Sequence, residues 1–422
     1  MSDKKDYRLQ TRLIHGQFRS KKWDYNHQVV PPMSQSATFR LEGASRGATG
    51  FFRFACDRIN PDREVPIYIY DRLDEPTRGM LEENLAEAEG AEACVCFATG
   101  MAAISAALGV LCQAGDEIVA HRVLYGCTYS LMQNWLPRMG IKTTFVDFND
   151  PDAVKRAITP KTRVLYAESP VNPNLELVDL ERVRALLGDA EDRPQLVVDN
   201  TFATPWGQRP MSLGADVVVH SLTKGLGGFG TDMGGAVLTR EPLRNLLLMY
   251  RKDFGGALSA KAAWTFLVHG LPTLATRMST AQKTAGVVAE WLQAHPRVKR
   301  VSWPGLASFP QRALAEKQLR TPSGEFAPGT MIYFEIDDPE GDGERGGRMM
   351  DWIAQSAYSI TLAVSLGQVK TLIEHPYSMT HSALSDEDKR KGGLHPGGIR
   401  LSIGLEDPAD LIADLEAALA HA

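Results

Sequence analysis

Apolar runs of four or five residues recur along the chain and alternate with amphipathic stretches. From about residue 75 to 270 the runs predict strands over 93–97, 117–120, 143–146, 163–167, 195–198 and 217–219. Between them the spacing predicts helices, among them 76–89, 126–139 and 179–187. Several strand candidates are almost wholly apolar, as expected for a mostly parallel sheet with helices on both faces. Beyond 270 the texture changes. Long helices are expected over 275–294, 348–357 and 408–420, and a strand over 331–336. The expectation is an α/β protein with three parts: an arm over 1–74 that contacts a partner subunit, a large domain over 75–270, and a smaller α+β domain over 271–422.

Polar clusters fall where the apolar runs stop, and in open α/β sheets ligands bind at the carboxyl ends of strands. Ala98-Thr99-Gly100-Met101 follows the first strand, and its amides open a helix that would favour an anion. His121 to Tyr125 follows the second strand. Glu168-Ser169-Pro170-Val171-Asn172, Asp199-Asn200-Thr201 and Ser221-Leu222-Thr223-Lys224 follow three more. Lysine prefers solvent. Desolvated, its amine becomes a nucleophile toward carbonyls. With hydroxyls and amides beside it to hold a phosphate, Lys224 suggests an aldimine with pyridoxal phosphate; a surface lysine in a polar loop is the plainer reading. Asp199 would keep a pyridine nitrogen protonated, or serve as a helix cap. Tyr125 offers a ring to stack and a phenol to move protons, or fills a core. Arg400 lies inside an apolar run and is suited to hold a carboxylate, or to form a surface ion pair.

Composition narrows the classes. The chain has 422 residues, 44% of them hydrophobic and 23% charged, with a net charge of −5. That size accommodates more than one domain, and the charge gives no case for nucleic acid or an anionic membrane. Cys56, Cys94, Cys96, Cys112 and Cys127 contain no CxxC pair and no zinc spacing, so no metal is expected, and buried thiols in a reducing cytoplasm are. The charged segment 1–12 is unlike a secretory signal. The uncharged run 93–113 has the length of a membrane span, but its hydroxyls and glycine favour a strand end and a buried helix. Gly225-Leu226-Gly227-Gly228-Phe229-Gly230 matches GxGxxG, yet a dinucleotide site needs a strand directly before it and a helix directly after.

The motifs together resemble the Cys/Met-metabolism (transsulfuration) family of pyridoxal-phosphate enzymes. They are Tyr68-Ile69-Tyr70-Asp71-Arg72, Ala98-Thr99-Gly100-Met101, Leu124-Tyr125-Gly126-Cys127, Glu168 to Pro173, Val198-Asp199-Asn200-Thr201, His220 to Lys224, Val364-Ser365-Leu366-Gly367, His375 to His381, and Ile399-Arg400-Leu401-Ser402. The resemblance implies a fold-type I enzyme, a cytoplasmic homotetramer built from dimers that share active sites. It implies that Lys224 carries the cofactor and moves protons, and that Asp199 pairs with its ring nitrogen. Asn172 would lie near its phenolic oxygen, and Tyr125 would stack on it. Gly100, Met101, Ser221 and Thr223 would bind its phosphate, with Tyr70 and Arg72 supplied by the neighbouring subunit. Arg400 and Ser365 would hold the substrate carboxylate. Cys127, the pair Lys252-Asp253 and Val364 look most like methionine γ-lyases, which implies γ-elimination from L-methionine. The alternatives are a γ-replacement enzyme, a cystathionine lyase, or a non-catalytic member of the fold.

Three departures stand out. Glu75-Pro76-Thr77 replaces the usual Asn-Pro-Thr. Gly225 and the turn Gly228 to Thr231 replace an aromatic and a Gly-His-Gly-Asp turn. The stretch 51–63 looks long. The glycine run after Lys224 is expected to be loose backbone that lets the lysine swing.

Overall fold

The computed structural model describes residues 7–16, 28–54, 67–379 and 395–422. Most of the 51–63 stretch, with Cys56, and the end of the His375 to His381 motif lie outside them. Two sheets organise the molecule. The larger holds β1 (Ala93–Phe97), β2 (Glu117–His121), β3 (Lys142–Val146), β4 (Thr162–Glu168), β5 (Gln195–Asp199), β6 (Val217–Ser221) and β7 (Gly235–Thr239). Their order is β1-β7-β6-β5-β4-β2-β3, and only β7 runs antiparallel to its neighbours. Apart from the half-exposed edge strand β3, each apolar run became a strand because both its faces are covered. Val164, Leu165, Val197, Val198 and Val218 are fully buried, and alternate side chains join two separate cores on opposite sides of the sheet. The uncharged run 93–113 is β1 followed by the helix Gly100–Leu111, and no helix among the described residues is long and apolar enough to cross a membrane.

The smaller sheet holds β8 (Val298–Ser302), β9 (Met331–Ile336), β10 (Ile360–Leu362), β11 (Thr371–Glu374) and β12 (Gly398–Ser402), in the order β10-β11-β12-β9-β8. The helices Leu271–Ala294, Glu344–Ser356 and Pro408–Ala420 cover it through a third core.

Three local features differ from the pattern. The helix expected over 126–139 breaks into a short α turn, a wider π turn and a 3₁₀ turn that carries Pro137. Pro137 cannot donate the helical hydrogen bond. The apolar run 236–238 forms β7, and Glu241–Phe254, which no clear stripe announced, is a helix. Glu75 has a structural reason: its carboxylate accepts from the Thr77 and Arg78 N–H groups and caps the helix Pro76–Glu89. Burial pushes the Glu75 carboxyl up to about 7, against the pull of Arg78.

Candidate functional site

The large sheet reverses its winding between β2 and β4, and crevices at such points bind ligands. Here the loop after β2 meets the end of β4. The Tyr125 N–H donates to Glu168 Oε1 at 2.6 Å. Glu168 is buried, and its carboxyl is pushed well up by burial and then by the neighbouring Asp199 carboxylate. Glu168 and Asp199 are direct partners in the β4–β5 register.

Lys224 follows β6. Its ammonium donates to Ser365 Oγ at 2.7 Å. Burial, then the positive charge of Arg400, lowers its pKa, while Glu374 opposes them. The amine is therefore easier to deprotonate than an ordinary lysine. Ser365 sits at φ 102°, a left-handed conformation that costs a non-glycine residue about 1–3 kcal/mol. Its carbonyl accepts from Arg400 Nη2 at 2.8 Å, and Arg400 Nη1 donates to Asn172 Oδ1 at 2.9 Å. Lys224, Ser365, Arg400 and Asn172 thus form one hydrogen-bonded group, drawn from both sheets.

Asp199 accepts from the Thr201 N–H at 3.0 Å in a local turn, and no helix starts on it. Burial raises its pKa; the Thr201 bonds and the charge of His220 lower it. A carboxylate held at this cost gains from a cationic partner such as a protonated pyridine ring. Gly100 opens the helix Gly100–Leu111 behind its cap, Thr99. A Cβ on Gly100 would lie 2.9 Å from Ser221 Cβ, so only glycine lets the helix start close on Ser221. The first helical N–H groups of Gly100 and Met101 have no partner within the helix. Together with the Ser221 hydroxyl they make a cradle suited to a phosphate. Thr223 Oγ1 accepts from the Gly234 N–H at 3.1 Å. Phosphate cradle, lysine and acid lie on three successive carboxyl ends, so the residues present fit pyridoxal phosphate.

Tyr125 is 43% exposed. Burial of its phenol, then a hydrogen bond with Cys127, raises its pKa, so it is protonated at neutral pH. Cys127 is exposed, unlike the buried Cys94, Cys96 and Cys112. Tyr70 is also partly exposed, with the Arg72 guanidinium over its ring. Arg72 donates to the Lys252 carbonyl, and Lys252 pairs with Asp253 at 3.2 Å. Among the described residues no hydrogen bond or ion pair joins Lys252 or Asp253 to Cys127. Val364 is exposed beside Ser365.

The glycine run after Lys224 is not loose. Arg277 donates to the carbonyls of Gly225 at 2.8 Å, Leu226 at 3.2 Å and Gly270 at 2.8 Å. Gly228 N–H bonds back to Lys224, and its carbonyl accepts from Val369. A Cβ on Gly227 would lie 2.7 Å from the Leu222 carbonyl oxygen. The glycines are there for close packing. Phe229 lies under Arg277 and edge-on to His269. β7 rather than a helix follows the run, which removes the dinucleotide reading.

Four site-supporting groups were not singled out from sequence. Glu374 pairs with Arg400 at 3.0 Å. His220 and Glu89 form a fully buried pair at 2.9 Å, next to Asp199. Arg277 is the fourth. An acid ending the apolar stretch Thr371-Leu372-Ile373 was the one available signal for Glu374. Among the described residues His121, Asp147 and Glu176 lie close enough to ligate a cation. Arg122 already bridges the two acids, and His121 Nδ1 accepts from the Phe148 N–H.

Comparison with known proteins gives the family. The Cys/Met metabolism PLP-dependent enzyme family matches over residues 10–420. An L-methionine gamma-lyase of Fusobacterium nucleatum subsp. polymorphum is 39% identical over 416 residues, covering 98% of each chain. An O-succinylhomoserine sulfhydrylase of Mycobacterium tuberculosis is 40% identical, covering 84% of this chain and 85% of its own. The crystal structure of cystathionine gamma-lyase from Lactobacillus plantarum complexed with L-serine superposes with a TM-score of 0.83 at 33% identity, covering 98% of this chain and 99% of that one.

Proposed function

The chain belongs to the Cys/Met metabolism family of PLP-dependent enzymes, and from that premise we propose that it cleaves L-methionine to methanethiol, ammonia and 2-oxobutanoate. The observation that carries this reading is the group at the cleft between the sheets. A desolvated Lys224 bonds Ser365, while Arg400 is tied to Ser365 and Asn172 beside it. Pyridoxal phosphate, when bound, supplies an electron sink that makes the protons at the substrate's Cα and Cβ acidic.

Each residue then has a task. Gly100, Met101, Ser221 and Thr223 hold the phosphate, completed by Tyr70 and Arg72 offered to a neighbouring subunit. Asp199 keeps the proton on the ring nitrogen. Asn172 would face the cofactor's phenolic oxygen, and the Tyr125 ring would stack on the cofactor ring. Arg400, with Ser365, binds the substrate carboxylate. The Lys224 amine takes the Cα proton and moves protons between carbons, because its lowered pKa leaves more of it neutral. Tyr125, protonated, gives its proton to the leaving thiolate sulfur. Cys127 touches that phenol and lies where it can steer the choice of leaving group. The assembly we infer is a homotetramer built from two dimers, each sharing active sites between its subunits, in the cytoplasm. The three parts 1–74, 75–270 and 271–422 act as partner-contacting arm, cofactor-binding large domain and C-terminal small domain.

The sulfhydrylase relative, 40% identical over 84% of this chain against 39% over 98% for the lyase, supports γ-replacement as the second reading. Purified holoenzyme given L-methionine is expected to release methanethiol and 2-oxobutanoate. Absence of both across a panel of sulfur amino acids, with turnover of an activated homoserine ester plus sulfide, would establish the second reading instead.

A further inference from the structure

β11 and β12 run antiparallel, with Glu374 directly opposite Arg400. Along these strands Ile373, Ile399 and Leu401 turn into the small-domain core. By alternation Glu374 and Arg400 turn the other way, toward Asn172 and Lys224 of the large sheet. Both are buried, at 2% and 5% exposure, and Glu374 Oε2 lies 3.0 Å from Arg400 Nη2. A guanidinium has five N–H donors in a rigid fork. Asn172, the Ser365 carbonyl and Glu374 occupy Arg400 on three sides. The donors that remain can meet a carboxylate only if the fork stays as these partners hold it.

We propose that Glu374 is a positioning residue: it fixes the Arg400 fork and sets how much positive charge Arg400 presents to Lys224 and to an incoming carboxylate. This rests on the roles of Lys224 and Arg400 given above. The charges on Lys224 fit it. Arg400 lowers the pKa of the lysine and Glu374 raises it, so the acid tempers its own partner at the reacting amine. The other titratable groups around the pair are few. Tyr333 faces Arg400 from β9, and Tyr125 acts on it from the loop after β2. His375, next in the chain, is bonded to Ser378 and the Pro396 carbonyl. A hydrophobic strand position would not require an acid; a buried arginine aimed at an anionic substrate does, because a lone buried charge is costly.

The test uses holoenzyme without substrate turnover. Glu374→Gln keeps the size and shape of the side chain, but the charge is gone. The pH midpoint of the lysine-bound cofactor's visible absorbance is expected to fall, on the order of half a unit or more. A midpoint unmoved or raised in folded protein overturns the proposal. Should that variant fail to fold, Glu374→Asp keeps the charge and shortens the reach. Its midpoint is expected to stay at the wild-type value, while glycine, an amino acid with no γ substituent to lose, binds severalfold more weakly. Wild-type glycine affinity would overturn the positioning role. A merely structural role would lower the melting temperature without moving either readout in these directions. Neither readout depends on which sulfur amino acid is cleaved, so failure here and failure of the γ-elimination reading are separable.

Discussion

The two halves of the cleft are built by different rules. On the large-sheet side each functional group stands just past the end of a parallel strand: Gly100 after β1, Tyr125 after β2, Asn172 after β4, Asp199 at the end of β5, Lys224 after β6. Backbone groups and local turns hold them, as with the Thr99 cap and the Asp199–Thr201 turn. On the small-sheet side Arg400 and Glu374 stand inside antiparallel strands and are fixed by register and by their mutual charge. The first half follows from chain order, because a parallel sheet gathers all its carboxyl ends on one edge. The second depends on which residue a neighbouring strand sets opposite, so it is specific to this pairing. The cofactor side should therefore answer to changes in local chemistry, and the substrate side to changes in charge and geometry across strands.

The sharpest challenge to the cofactor side is Asp199→Asn. An amide cannot hold the ring nitrogen's proton as a carboxylate does, so kcat is expected to fall by about a thousandfold, with KM for L-methionine little changed. Steady-state kinetics measure it; a drop confined to KM would place Asp199 on the substrate side. For the opposite half, Arg400→Lys keeps the charge and loses the fork. KM is expected to rise by about ten- to a hundredfold, with kcat reduced far less. Equal loss in kcat alone would erase the distinction between the halves.

The smallest effect concerns stability and lies outside the cleft. Glu75 has a folded pKa of about 7 against an ordinary 4.5. The folded state therefore holds its proton more tightly than the unfolded one. The sign follows: relative stability is fully present below about 4.5 and is lost as the pH rises to about 7. Glu75→Gln keeps an acceptor for the helix cap and has no charge to bury. Its stability relative to wild type, measured by thermal unfolding from pH 5 to 8, should grow with pH, toward a limit of about 3 kcal/mol for a shift of this size. A constant difference would mean that the Glu75 charge is not disfavoured in the fold.

The same contrast explains how much the sequence disclosed. Six of the seven strands of the large sheet were legible in the sequence, five of them as apolar runs, because double-sided burial leaves no room for polar alternation; the sixth is the half-exposed edge strand β3. The polar residues at their ends were legible for the same reason: Asp199 and Lys224 interrupt runs such as Val197-Val198 and Val217-Val218-Val219. β7 was hidden because Ala236-Val237-Leu238 is short and follows a glycine-rich loop. Glu374 left one faint mark, an acid at the end of Leu372-Ile373, while its pairing with Arg400 across strands leaves none in either strand alone. Glu89 and Glu82 sit on the helix 76–89, where charged residues read as solvated. Each is instead buried against a distant partner, His220 at 2.9 Å and Arg251 at 2.6 Å. The glycine run was misread for a related reason. Its composition suggests mobility, and only the arrival of Arg277 from the helix Leu271–Ala294 reveals that the glycines pack closely.

Lys224 joins the two halves, since it leaves β6 and bonds Ser365. The most direct test is borohydride reduction of the holoenzyme, followed by digestion and mass spectrometry. The expected result is one reduced cofactor adduct per chain, on the peptide containing Lys224, and none in Lys224→Ala. An adduct on another lysine, or a visible cofactor band unchanged in Lys224→Ala, would contradict the account.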